Sequence, residues 1–330
     1  MIAHRNIVKD VGRIFVWYPL RWLTATMPPG VLYATGGLIG DMDGVLSVRG
    51  RIRRMVGNIS GALGISPGVS RRLVRENLRN HARNMLEFMK YPQLSCREKI
   101  ERHLLCERFE VLDRELSRGR GVILITGHFG AKQFLQVGLG GLGYRVNQIH
   151  YHAEGGELSA IQKRVSQRMR KKVEEGIPAR FISADGFLRA AFECLRDNEI
   201  LIIAGDGAGV RSLMTKGYVP YRFLGKRMLF PSNVAAMAKK TGASLVPAFV
   251  VRRGVRHAIV IEDAIRTEDR SVEEIYGDFV KILERYVRRY PHLWEFWEEF
   301  EPGHLLESAE SDEGGPDSGA VPAPGGRLPA

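Results

Sequence analysis

The spacing of apolar residues changes near residue 120 of the chain. Before that point apolar positions recur at helical spacing, most clearly from Val69 to Lys90, which predicts a helix there and a shorter one over Val31 to Gly40. After it, short runs of β-branched residues alternate with longer helical stretches. The first part is therefore expected to be helical, and the second to mix strands with helices.

The second part contains the elements of a sheet protein. The predicted strands are Gly121 to Thr126, Val146 to Tyr151, Glu199 to Ala204, Leu245 to Val251 and His257 to Glu262. The predicted helices are a stretch from Gly130 to about Leu142, then Leu158 to Glu174, Asp185 to Arg196, Pro231 to Thr241 and Ser271 to Tyr290. Strands alternating with helices predict an α/β fold, a sheet flanked by helices with polar groups at the strand ends.

The two ends of the chain have patterns of their own. Between Val11 and Met27, aromatic and branched residues alternate with Arg13 and Arg21, which suits a bilayer interface or an ordinary amphipathic helix packed on the body. After Pro302 the chain is rich in Gly, Pro, Ser and Asp and has no apolar periodicity, which predicts disorder. The expected organisation is a helical membrane-associating segment (1–45), an α/β domain (46–302) and a disordered tail (303–330).

Composition narrows the class of protein. At 330 residues and 44% hydrophobic residues the chain can bury a core, and it has no apolar run long enough for a conventional membrane-spanning helix. Its formal charge of +12 attracts nucleic acid, anionic lipid or an acidic carrier protein, and charge alone does not choose among them. Three separated cysteines favour neither a disulfide framework nor a zinc site, and suit a reducing environment.

His128 is the strongest candidate for chemistry. It lies in a Gly-His-Phe-Gly turn between a strand and a helix, where Gly127 and Gly130 permit close approach of another group. A helix N-terminus favours the neutral imidazole, which can accept a proton as a general base. Gln133, little more than one helical turn further on, could orient the imidazole through its other nitrogen. A structural histidine is the alternative.

A second polar cluster, AGDGAGVRS from Ala204 to Ser212, follows a predicted strand directly. The backbone amides of its glycines, including Gly207, could bind an anion, and Arg211 could add a bidentate contact to phosphate or carboxylate. Asp206 lies where a strand end faces a site, although Asp-Gly pairs also form ordinary turns.

Other signals are weaker. Gly138, Gly140 and Gly143 match G-x-G-x-x-G, but they lie at the end of a helix and not between strand and helix, which disfavours a dinucleotide site. His150, His152 and Glu154 could be metal ligands, but no further ligand spacing supports them. The basic run Lys163 to Lys172 suits a solvated helix face, or a surface for headgroups or a carrier protein. Serine-hydrolase, P-loop and zincin motifs are absent.

Taken together, these residues resemble the lysophospholipid acyltransferase superfamily, and most closely its branch of bacterial lipid A biosynthesis (lauroyl/myristoyl) late acyltransferases. The resemblance runs from about Gly121 to Trp297. It rests on the strand leading into GHFGAKQ, the strand followed by Asp206, the stretch VPYRFLGKRMLFPSNVAAMAKKTGASLVPAFVV and the closing LERYVRRYPHLWEFW.

The resemblance implies an acyltransferase-type α/β sheet and transfer of a fatty acyl chain from an acyl carrier protein or CoA thioester to a hydroxyl of a lipid or glycolipid. It implies no cofactor, no metal and no nucleic-acid partner. The acceptor would be lipid A-like or a lysophospholipid, and the protein would lie on the anionic cytoplasmic face of the inner membrane, peripheral or monotopic. The residues carried over are the catalytic set His128, Gln133 and Asp206 and the substrate-binding set Gly127, Gly130, Gly207 and Arg211.

One position departs from the family pattern, because residue 133 is Gln where the family has a carboxylate. A glutamine can fix the imidazole tautomer but brings no charge to stabilise an imidazolium. Loss of that charge costs about 10⁴ in rate in the serine protease triad, by analogy. Either another acid such as Asp206 or Glu154 takes the role, or the protein is a catalytically weakened homologue that acts as a lipid-binding module.

Overall fold

In the computed structural model, helices occupy the chain before the sheet begins. The structure describes residues 18, 21–47, 49–94, 96–150, 165, 168–183, 189–207 and 217–307. The first helices are α1 (Arg21–Thr26), α2 (Pro29–Leu46), α3 (Arg49–Leu63) and α4 (Pro67–Lys90). Ser66 caps α4 by accepting a hydrogen bond from the Val69 amide, and Pro67 suits the first helical position because it has no amide hydrogen to satisfy.

Seven strands of the described chain form one sheet: β1 Leu104–Glu107, β2 Val122–Thr126, β3 Val146–His150, β4 Arg180–Ser183, β5 Ile200–Ala204, β8 Ser244–Arg253 and β9 Arg256–Ile261. Their order across the sheet is β1-β9-β8-β2-β5-β3-β4. Neighbouring strands run parallel except for the β8–β9 pair. A separate antiparallel hairpin consists of β6 (Tyr218–Phe223) and β7 (Lys226–Pro231).

Helices cover both faces of the sheet. They are α5 Arg97–His103, α6 Phe109–Leu116, α7 Phe134–Gly141, α8 Arg168–Glu174, α9 Arg189–Arg196, α10 Asn233–Thr241 and α11 Val272–Arg289. Alternate residues of β2 enter different clusters: Ile123 and Ile125 pack with α11, whereas Val122 and Leu124 pack with α7. This alternation places a hydrophobic core on each side of the central strands.

The α/β fold and its sheet flanked by helices are confirmed, and the five predicted strands are present within a residue or two of their predicted ends. The prediction missed β1, β4 and the β6–β7 hairpin, which are short or carry polar residues, and it missed α3, α5 and α6. Most of Leu158 to Glu174 and the first residues of Asp185 to Arg196 lie outside the described residues.

The ends of the chain differ in part from the predicted division. Helix α2 packs closely on α4 through Gly36 and Gly40, so this part of segment 1–45 packs against the α/β domain predicted to begin at residue 46. After residue 302 the chain still packs, because Leu305 and Leu306 are buried. Residues 308–330 lie outside the described residues. No helix of the described ranges is both long enough and apolar enough to cross a bilayer.

The contact between α2 and α4 leads to a stability prediction. A Cβ atom at Gly40 would lie 2.5 Å from the Arg79 Cα atom, so Gly40→Ala must push the helices apart. We expect it to lower the free energy of unfolding by about 1–3 kcal/mol. Gly57→Ala in α3, where no described atom lies within 4 Å, should raise it by about 0.5–1 kcal/mol. Urea unfolding of both variants tests this packing, and equal effects would contradict it.

Candidate active site

The register of two neighbouring strands brings His128 and Asp206 together. Strands β2 and β5 are parallel, and Thr126 at the end of one pairs with Ala204 at the end of the other. His128 and Asp206 each follow their strand end by two residues, so both emerge at the same edge of the sheet. The distance from His128 Nδ1 to Asp206 Oδ1 is 2.7 Å.

The Asp206 carboxylate is completely buried and accepts several hydrogen bonds. Its Oδ2 atom accepts from the backbone amide of His128 at 2.7 Å and from the indole Nε1 of Trp294 at 3.1 Å. A carboxylate that already accepts from N–H groups favours a hydrogen on the facing imidazole nitrogen, Nδ1. Nε2 of His128 is then left as the proton acceptor.

The glycines beside His128 permit these close contacts. A Cβ atom at Gly127 would lie 3.1 Å from Asp206 Oδ2 and 2.8 Å from a Leu283 methyl group. Gly130 has φ +58°, and a Cβ atom there would lie 2.0 Å from the Val250 carbonyl oxygen. The sequence predicted close approach at both positions. The groups that approach are parts of the protein itself.

Three backbone amides of this turn have acceptors within the protein. The His128 amide donates to Asp206, the Phe129 amide to Gly127 O at 2.8 Å and the Gly130 amide to Leu293 O at 2.8 Å. They are therefore not free to stabilise an oxyanion. The amide of Gly205 likewise donates to Thr126 O, which removes it from the expected anion-binding loop.

Gln133 does not orient the imidazole, contrary to the expectation from its spacing. The Nδ1 partner is Asp206, and no hydrogen bond joins Gln133 to His128, both of which are described residues. Gln133 lies at the start of α7 and lines the same cavity as His128. Gly207, with φ +87°, also lines that cavity, whereas Arg211 and Glu154 lie outside the described residues.

His128 faces a cavity of about 570 Å³, within the size range of ligand sites in proteins. The imidazole side chain is 22% exposed and stacks on Phe296, with ring centroids 4.3 Å apart. One part of the lining is apolar: Met85, Phe88, Ile149, Phe181, Ile202, Ile203, Val234 and Met237. Another part is polar: His81, Lys132, Gln133, Gln136, Gln148, Arg170, Glu174 and Glu295. The cavity can therefore hold a ligand with an apolar and a polar part.

The cations on this lining have carboxylate partners. Lys132 pairs with Glu295 at 3.0 Å, and Arg170 with Glu174 at 2.8 Å. Burial alone would raise the pKa of Glu295, but Lys132 and His128 outweigh burial, and its pKa falls below the usual range. Two buried oxygen atoms of the lining, Thr126 Oγ1 and Gln136 Oε1, have no protein partner in the described structure.

Sequence reasoning missed the residues that surround the His128–Asp206 pair. Trp294, Phe296, Lys132 and Glu295 contact the pair or its turn, and Asn84 holds that turn from α4. The signal for Asn84 was a polar residue of low helix propensity on the apolar face of a long helix. No comparable local signal marked Trp294 as a donor to Asp206.

Comparison with protein families decides the class of this chain. The profile of the bacterial lipid A biosynthesis acyltransferase family matches residues 8–298. The chain belongs to this family. As a member, it is an acyltransferase of lipid biosynthesis. No curated protein sequence matches it.

Among solved structures, the chain is similar to the 1-acyl-sn-glycerophosphate (LPA) acyltransferase PlsC from Thermotoga maritima. The sequence identity is 12% and the TM-score is 0.36, over 79% of this chain and 97% of that chain. In the part of the chain that the structure describes, no group of three or more His, Cys, Asp or Glu side chains is arranged to hold a metal ion.

The segment that carries Trp294 and Phe296 leads to a pH prediction. Burial, with a contribution from nearby Glu298, raises the pKa of Glu299 to about 7 from the ordinary 4.5. The folded protein thus holds this proton more tightly than the unfolded chain. The resulting stabilisation is complete below about pH 4.5 and is lost as the pH rises to about 7.

We therefore expect Glu299→Gln to match wild type near pH 4.5 and to be the more stable protein near pH 8, because glutamine brings no buried charge. Urea unfolding at both pH values checks this. Equal stability of the two proteins at the higher pH would contradict the assignment.

Proposed function

We propose that this acyltransferase moves a fatty acyl chain from a thioester donor to a hydroxyl of a lipid or glycolipid, with His128 as general base and Asp206 as its carboxylate partner. The observation that carries the proposal is the short contact from His128 Nδ1 to a completely buried carboxylate, in a cavity with apolar and polar linings.

The reaction needs one proton acceptor and one proton donor, and the imidazole serves as both. His128 Nε2 accepts the proton of the acceptor hydroxyl while that oxygen attacks the thioester carbonyl carbon. The tetrahedral intermediate then expels the thiolate, which takes the proton back from His128. The products are an ester and a thiol, and no net proton is released or consumed.

Asp206 stabilises the imidazolium that exists between these two proton transfers. A buried carboxylate interacts more strongly with a nearby charge than an exposed one, because water does not screen it. The Trp294 indole and the His128 amide hold the carboxylate in place before the reaction begins. This pairing supplies the charge that Gln133 cannot, and it favours an active enzyme over a catalytically weakened lipid-binding homologue.

The linings of the cavity suit the two substrates. The apolar part, which includes Met85, Phe88 and Ile202, matches an acyl chain. The polar part matches the acceptor headgroup and the thioester end of an acyl carrier protein or CoA donor. We propose that Arg211 contacts phosphate groups, and that the positive net charge of the chain attracts these groups or an acidic carrier protein.

A membrane position for the enzyme is also proposed. On α1 and α2, Trp22 is 75% exposed, Leu38 66%, Met42 59% and Val45 83%. The carboxylates nearby are paired, Asp41 with Arg75 and Arg79, and Asp43 with Arg51. An exposed apolar helix face with neutralised acids suits insertion into the headgroup region of a bilayer. We place this face on the anionic cytoplasmic side of the inner membrane.

The proposed roles of His128 and Asp206 are tested by measuring acyl transfer from labelled acyl carrier protein and acyl-CoA donors to bacterial lipid extract. We expect His128→Ala to leave only a slow residual rate of transfer and Asp206→Asn to lower kcat by about 10²–10⁴. Gln133→Ala should cost much less, because its side chain does not contact the imidazole. A larger loss for Gln133→Ala than for Asp206→Asn would contradict the assignment of Asp206. No transfer by wild type with any donor would contradict the function.

The membrane proposal is tested by flotation with vesicles that contain anionic lipid. Leu38→Glu and Met42→Glu each place a charge on the exposed apolar face of α2 and should reduce the bound fraction severalfold. Ala236→Glu adds the same charge to an exposed position of α10 and serves as the matched control. Equal binding by all three variants would exclude α2 as the contact surface.

A further inference from the structure

The turn that carries His128 is held by the segment after α11. Phe129 pairs with Trp294 in an isolated antiparallel bridge, and the Glu295 amide donates to His128 O at 2.8 Å. The Gly130 amide donates to Leu293 O. The position of the imidazole relative to Asp206 therefore depends on how firmly this turn is fixed.

A side chain of α4 fixes the same turn from another direction. The amide Nδ2 of Asn84 donates to the carbonyl oxygen of Gly130 at 2.7 Å. Both groups are buried, so the contact is not exchanged for water. On another side, Gly130 forms an isolated parallel bridge with Val250, whose carbonyl oxygen lies where a Gly130 side chain would be.

Arg252 sets the orientation of the Asn84 amide. Its guanidinium donates to Asn84 Oδ1 at 2.7 Å, and a guanidinium can only donate. The oxygen of the Asn84 side chain must therefore face Arg252, which leaves the NH₂ group facing Gly130. Arg252 is held in turn by Glu87 and donates to Asn80 Oδ1 at 2.6 Å.

Glu87 provides the charge that makes this arrangement stable. Burial would raise its pKa, but His257 and Arg252 outweigh burial and hold the pKa at about 2. The ionised carboxylate holds the side chain of Arg252, a residue of β8, against α4.

We propose that Asn84, oriented by Arg252, is a positioning residue that holds the His128 turn in its catalytic place. The part of this inference that concerns turnover rests on the proposed function. Asn84 lines the same cavity as His128, but its amide donates to the backbone of the turn and not to the imidazole. It acts through Gly130 O, two residues from the imidazole. A displacement of about 1 Å in a catalytic group can cost about 10² in rate.

The chain supplies a matched control in Asn80. It lies on the same helix, is equally buried and also accepts from Arg252, but its Nδ2 atom has no partner among the described residues. Aspartate at either position keeps the oxygen that faces Arg252 and replaces the NH₂ group by oxygen. Only at position 84 does the change break a contact to the turn and place two oxygens against each other.

We expect Asn84→Asp to lower kcat by about 10- to 100-fold with KM little changed, and Asn80→Asp to retain kcat within about twofold. Thermal unfolding of both variants reports any common loss of stability. Equal losses of kcat in the two variants, or none in Asn84→Asp, would overturn the proposal. Asn84→Ala, which also lacks the donor, replaces Asn84→Asp if that variant does not fold.

A second readout does not depend on turnover. In protein with labelled histidine, the Nδ1–H resonance of His128 is assigned by its loss in His128→Ala. We expect Asn84→Asp to shift or broaden this resonance and Asn80→Asp to leave it as in wild type. An unchanged resonance in Asn84→Asp would overturn the proposal. If wild type transfers no acyl group, the proposed function fails, and this comparison still decides the role of Asn84.

Discussion

The site depends on one interaction, the hydrogen bond from the His128 imidazole to the buried Asp206 carboxylate. A carboxylate without water is stable only when N–H groups satisfy it, and here the His128 amide and the Trp294 indole do so. These donors impose conditions on the fold. Gly127 must lack a side chain, strands β2 and β5 must be in register, and the Trp294 segment must return to the sheet edge after α11.

The sequence predicted the central strands because buried parallel strands are continuous apolar runs, as in β2 and β5. It also marked His128 and Asp206 as polar residues directly after such strands. It could not predict that β2 and β5 are neighbours, since strand order is set by packing across the whole sheet. Without that neighbour relation, local spacing pointed to Gln133 as the partner of His128, with Asp206 or Glu154 as alternatives, and the structure places Asp206 there.

Contacts between residues that are far apart in the sequence could not be predicted either. Asn84 lies 46 residues from Gly130 in sequence, and Trp294 lies 88 residues from Asp206. From the neighbouring sequence alone, Asn84 is an ordinary helix residue and Trp294 is one of several aromatic residues near the end of the domain. The buried Glu87–Arg252 pair joins α4 to β8 in the same way. Such contacts hold the His128–Asp206 pair and its turn in place in a chain that has glutamine at position 133.

The most direct test of this account is a double-mutant cycle on His128 and Asp206, with the rate of acyl transfer as the readout. If Asp206 acts through the imidazole, the double variant His128→Ala/Asp206→Asn should be no slower than His128→Ala alone, because the partner has nothing left to act on. If the two losses multiply instead, the residues act independently, and the pairing of His128 with Asp206 is not the basis of catalysis.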